Sequence, residues 1–144
     1  MQGAATATKG VAGQAEVQAL LNRMARAITQ GDGKTVASMW AVPALVLGDT
    51  EARAVGTLDE VKAFFGGAKE QYNAKGIVDT RAEIRELKWL TPRIALVEVR
   101  WPYLDEQGKE VGEETSTYAL RRDETGILKL QTAIMHGAAE QPPS

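Results

Sequence analysis

The chain has no cysteine and a single histidine among its 144 residues. A disulfide framework, a thiol nucleophile and the Cys/His sets of zinc sites are therefore ruled out, and only His136 titrates ordinarily near neutral pH. No apolar run approaches the roughly 20 residues that a membrane helix requires, and the N-terminus lacks the basic start and apolar core of a secretory signal. Together with the missing cysteine, this makes the cytoplasm the expected compartment. Charge of one sign is also missing: the net charge is −2 and lysines and arginines are scattered singly, so no basic stripe invites a phosphate backbone. Nucleic acid and membrane are not expected partners. No serine sits in a nucleophile elbow, no glycine-rich loop follows a strand, and no tight carboxylate cluster offers metal ligands. Covalent catalysis, nucleotide binding, metals and cofactors thus have no residues to rest on.

What remains fits one domain, because a chain of this length buries about 70% of the surface its unfolded form exposes. Residues 1–14 are small and polar without period and read as a flexible tail, residues 15–137 as the domain, and 138–144 as a second flexible tail. Val17, Leu20, Leu21, Met24 and Ile28 recur at helical spacing. Gly31 is a C-cap, and Asp32 opens a short second helix through Val36 and Trp40 that Pro43 stops. Two short strands follow, Ala44 to Leu47 and Ala52 to Val55. Thr57-Leu58-Asp59-Glu60 is a capping box for a helix with Val61, Phe64, Phe65, Ala68 and Tyr72 inward, weak in its middle at Gly66-Gly67 and closed by Gly76. From Ile77 to Leu90 a strand changes alternation between Ile84 and Leu87, which predicts a bulge. A last strand runs from Ile127 to His136.

The longest pattern is a hairpin from Arg93 to Arg122 around Asp105-Glu106-Gln107-Gly108, a type I turn with Gly108 left-handed. With Asp105 opposite Lys109 and the pair sum constant, Val97, Val99, Trp101 and Tyr103 share a face with Val111, Glu113, Thr115, Thr117 and Ala119. Glu98 and Arg100 lie on the other face, opposite Ser116 and Glu114. Pro102 then meets Gly112, and two poor strand formers at one point predict a bend or bulge. Helices first and a meander last give an α+β domain whose helices pack on one face of a curved antiparallel sheet.

In the Gln30-Gly31-Asp32 junction, in Val36 to Trp40 followed by a strand, in the Gly56-Thr57-Leu58-Asp59-Glu60-Val61 helix entry and in the closing Leu128-Lys129-Leu130 strand, the chain resembles the nuclear transport factor 2-like superfamily, which includes SnoaL-like cyclases and ketosteroid isomerases. The resemblance covers roughly residues 15 to 137. It implies a cystatin-like cone with about three N-terminal helices on its concave face, an apolar cavity between sheet and helices, and a homodimer paired through the sheet. Aligned on Gly31-Asp32, Met24 stands where the isomerases are known for a tyrosine and Gly48 where they have a carboxylate. The isomerase positions are not retained, and Asp49, one residue away, reads as a turn residue.

Two candidates for acid/base chemistry remain. Glu113, opposite Trp101 and on the face of Tyr103, is a carboxylate drawn partly out of water, although a one-residue slip of register exchanges it for Glu114. His136 ends the last strand and can face the pocket mouth. The expected ligand lining is Trp40, Phe64, Tyr72, Val99, Trp101, Tyr103 and Thr115, a mixture of rings and polar handles around a small apolar or aromatic molecule. The expected function is a small-molecule-binding pocket; the alternative is a cofactor-free isomerase, cyclase or dehydratase using Glu113 or His136.

Overall fold

A computed structural model of the chain describes the backbone of residues 2–140 and the side chains of residues 13–137. Helix α1 (Gln2–Thr29) carries the predicted stripe, with Val17, Leu20, Leu21 and Met24 all buried. It begins far ahead of Ala15, through the stretch expected to be a tail; alanine is the strongest helix former, and each added residue extends a helix already nucleated. Gly31, at φ +73°, closes it: the Asp32 amide donates to the Ala27 carbonyl at 2.8 Å and the Gly31 amide to Ile28 at 3.1 Å. Asp32 then caps α2 (Gly33–Ser38), accepting from the Thr35 amide at 3.1 Å and its hydroxyl at 2.6 Å.

Thr57 caps α3 (Leu58–Phe65), its hydroxyl accepting from the Glu60 amide at 3.1 Å. The Glu60 carboxylate takes the Thr57 hydroxyl at 3.2 Å. Gly66-Gly67 breaks the predicted single helix, and α4 (Ala68–Ala74) follows as a separate turn. Its end repeats the α1 motif, with Gly76 at φ +80° and the Ile77 amide on the Tyr72 carbonyl at 2.9 Å.

The strands are β1 (Trp40–Leu47), β2 (Ala52–Val55), β3 (Asp79–Thr80), β4 (Glu83–Trp89), β5 (Ile94–Leu104), β6 (Glu110–Arg122) and β7 (Leu128–Glu140). They form one seven-stranded curved sheet in the order β2-β1-β7-β6-β5-β3, with β4 continuing the β3 edge along β5. The expected strand over 77–90 is thus interrupted at Arg81-Ala82, and its register shifts between Ile84 and Glu86, where the apolar phase changes. The sheet is mixed rather than wholly antiparallel, because β1 runs parallel to β7. β7 itself extends to Glu140, past the expected domain end at 137; of the expected tail, residues 141–144 lie outside the described residues. The helices cover the concave face, and the core between them holds Leu21, Val36, Val97, Val99, Leu120 and Leu130.

The hairpin departs from the constant-sum register at one point. The Asp105 amide donates to Lys109 at 2.9 Å, Gly108 is left-handed at φ +77°, and Leu104 pairs with Glu110 as expected. Val111 is then an extra residue, and Tyr103 pairs with Gly112, Trp101 with Glu114, Arg100 with Thr115 and Val97 with Tyr118. One inserted residue moves every later side chain of β6 to the opposite face. Glu113, Thr115, Thr117 and Ala119 therefore lie outward, while Glu114, Ser116, Tyr118 and Leu120 lie inward. The gain is burial of Tyr118 and Leu120, 4% and 0% exposed, each stabilising by about 1.5–3 kcal/mol, in place of Thr117 and Ala119.

Candidate functional site

Between the helices and the concave sheet face lies a hollow of about 90 Å³, measured as space open to the centre of a water molecule. That is room for roughly six to nine waters, or one compact organic molecule. Every aromatic residue of the chain except Trp89 lines it. A dry core of this size would close on aliphatic side chains; a wall of rings with polar tips leaves both apolar surface and hydrogen-bonding atoms facing the space.

Its polar centre is Glu114. Placed inward by the bulge, its Oε1 accepts from the Tyr103 hydroxyl at 2.7 Å and from the Tyr72 hydroxyl at 3.3 Å. The Tyr72 and Tyr103 rings lie 5.6 Å apart, tilted by 45°. Burial, with the Glu114 charge adding, pushes the Tyr72 phenol well above the tyrosine range, and burial does the same for Tyr118. Both stay protonated at physiological pH. The Trp101 indole N–H donates to the Tyr118 hydroxyl at 3.1 Å, with the rings edge to face. Among the described residues Glu114 has no ion-pair partner and its Oε2 accepts no hydrogen bond. The Trp40 indole N–H, buried in a residue that lines the hollow, has no partner either.

Of the residues read from the sequence, Trp40, Phe64, Tyr72, Trp101 and Tyr103 line the hollow. Val99 is on the inward face but sealed in the core, and Thr115 lies on the outer face opposite Arg100. Glu113, expected inward, also lies outward, accepting from Arg100 Nε at 2.7 Å in a cluster that adds Glu83 at 2.8 Å and Glu110. His136 is exposed on the outer face, its Nε2 2.8 Å from the Thr117 hydroxyl, so it does not reach the hollow. The sequence left Glu114 as the alternative to Glu113 under a one-residue slip, and that slip is what β6 adopts; Tyr118 was not expected in the lining. The signal was the alternation of Tyr118 with Leu120, which outweighs the register that the turn alone suggests. Met24 lines the hollow with a thioether, and the Gly48 amide closes a turn on the Glu51 carbonyl at 2.8 Å. Among the described residues no group of three acidic or histidine side chains could hold a metal ion.

Residues 15–138 match the family described as NTF2-like protein (DUF6841). The chain belongs to the NTF2-like family. No curated protein matches its sequence. Among solved structures, this NTF2-like chain is similar to a cystatin-like domain of unknown function from Nostoc punctiforme, at TM-score 0.69 and 16% identity over 87% of this chain and 76% of that one. An NTF2-like protein with a cystatin-like fold from Novosphingobium aromaticivorans matches at TM-score 0.68 and 12% identity, over 100% of this chain and 92% of that one. A ketosteroid isomerase-like protein from Erwinia carotovora matches at TM-score 0.62 and 16% identity, over 85% and 93%. At these identities the likeness is one of fold. No helix among the described residues is long and apolar enough to cross a membrane.

Proposed function

We propose that this NTF2-like chain is a small-molecule-binding protein whose ligand, compact and largely apolar or aromatic, occupies the hollow between the helices and the sheet. The observation that carries the reading is the hollow itself, ringed by aromatic side chains with Glu114 as its acceptor. The reading is tested by native mass spectrometry of the protein as purified and by titration with 2-phenylethanol, followed through the fluorescence of Trp40 and Trp101. A retained molecule or saturable quenching is expected, with quenching lost in Ala133→Leu, which grows a buried lining residue into the space. Absence of both signals up to the solubility of the alcohol overturns it.

A second reading, a cofactor-free isomerase, cyclase or dehydratase, is favoured by the pairing of a carboxylate with two phenolic donors, since these can take up and return a proton at a bound molecule. Glu114 then has the base role first read at Glu113. Turnover of a bound molecule that stops in Glu114→Gln while binding persists selects it. In either case the protein works in the cytoplasm as a homodimer paired through the outer sheet face. That face carries the cross-strand row Leu45, Thr132, Ala119 and Leu96, beside Ile134, with Leu45 and Ile134 exposed. Sedimentation of Ile134→Glu as a monomer, against a dimer for the unmodified chain, tests the pairing.

A further inference from the structure

We infer that the ligand of the hollow is an organic cation, a small ammonium ion carried on an apolar or aromatic body, seated with its charge at Glu114. The inference rests on the reading that the hollow holds a small molecule, and it goes further by assigning the ligand's charge. Three observations support it. First, Glu114 is a carboxylate without a protein cation among the described residues, and both of its hydrogen bonds are accepted by one oxygen. The other oxygen can accept from a ligand. A carboxylate turned into a space lined by rings gains most from a partner that brings a compensating charge as well as a donor.

Second, the walls around it are of the kind that bind cations. Trp101, Tyr103 and Tyr72 bring indole and phenol rings next to Glu114, and the negative face of each such ring attracts an ammonium group. Third, the alternatives fit worse. An anionic ligand would be repelled by Glu114. A neutral hydroxyl would form one hydrogen bond but leave the carboxylate charge uncompensated. Two further charged residues contribute to the lining, half-buried Lys69 and exposed Asp79, and being of opposite sign they offset each other. The outer-face acids Glu83, Glu110 and Glu113 do not compete for the same ligand, because Arg100 already pairs with all three.

The experiment is calorimetric titration of the full chain with three probes of similar size: 2-phenylethylammonium, 2-phenylethanol and phenylacetate. The ammonium is expected to bind at least about tenfold more tightly than the alcohol, with phenylacetate weakest. In Glu114→Gln, which keeps the side-chain shape and an acceptor for both phenols, the advantage of the ammonium over the alcohol is expected to vanish. If the alcohol binds as tightly as the ammonium, or more so, the cation inference is overturned and the pocket stands. If the preference for ammonium survives Glu114→Gln, the assignment to Glu114 is overturned. If none of the three binds, the inference and the pocket fall together.

Discussion

Removing one phenolic hydroxyl from Tyr103 tests the centre of the site without disturbing its shape. Tyr103→Phe keeps the ring and its 5.6 Å contact with Tyr72 and deletes the donor 2.7 Å from Glu114 Oε1. Tyr103 is 6% exposed, and a hydrogen bond to a charged acceptor contributes about 1.5–3 kcal/mol. The Tyr72 bond, at 3.3 Å from a half-buried residue, is longer and weaker, and Tyr72→Phe is expected to cost only about 0.5–1.5 kcal/mol. For a chain of this size each kcal/mol lowers Tm by about 2–4 °C, which separates the two variants. The sharper measurement is a double-mutant cycle by urea denaturation. Tyr103→Phe with Glu114→Gln should show a coupling of about 1–2 kcal/mol, and Tyr103→Phe with Glu113→Gln about none, because Glu113 is engaged by Arg100 on the other face. Coupling to Glu113 in place of Glu114 would refute the bulged register, and with it the carboxylate in the hollow.

Alkaline stability should report the buried phenols. Their folded pKa values are raised above the ordinary 10.0, so the unfolded chain releases protons that the folded chain keeps. Stability is then full below about pH 10 and falls above it by up to about 1.4 kcal/mol per pH unit for each tyrosine, and Tyr118→Phe should flatten the slope by one such share. Gly31→Ala should lose about 1 kcal/mol or more in thermal unfolding, since its φ of +73° disfavours a side chain and an added Cβ meets Lys69 Cδ at 3.1 Å. Gly67→Ala, at φ −100° with nothing nearer than Gln71 Nε2 at 3.8 Å, should be neutral or stabilising by up to about 1 kcal/mol. Glu16→Gln should speed amide hydrogen exchange along α1, because Glu16 accepts from Arg122 at 2.7 and 2.8 Å and so ties the helix to β6, where the guanidinium also covers Trp89.

Features set by local physics were legible in the sequence. The stripe from Val17 to Met24, the Gly31 cap, the Thr57 box and the phase change near Ile84 each depend on a few neighbouring residues, and each was found. Gly66-Gly67 was legible as a weakness, but whether two glycines bend or break a helix depends on what the turn packs against, and here α3 and α4 separate. The parallel pairing of β1 with β7 joins segments some ninety residues apart, and no short-range signal encodes its direction. The start of α1 was not legible for a different reason: its first dozen residues carry no apolar stripe, and Gly3, Thr6, Thr8 and Gly10 among the alanines weaken the helical signal.

The register of β6 decided the chemistry, and two signals in the sequence bore on it in opposite directions. The turn at Gly108 fixes the pairing for its first rung, and extrapolating that pairing places Glu113 inward. Burial of Tyr118 and Leu120 demands the other face, and the chain satisfies both by inserting Val111 beside Gly112, where Pro102 already weakens the opposing strand. A bulge forgoes little ladder bonding at such a point, whereas exposing a tyrosine and a leucine would forgo several kcal/mol. The outcome separates two adjacent glutamates by charge environment. Glu113 joins an arginine already shared with two other acids, while Glu114 faces phenols and rings with no cation of its own. Uncompensated charge beside an aromatic space is what gives the hollow a preference among ligands, and the insertion of Val111 is what places it there.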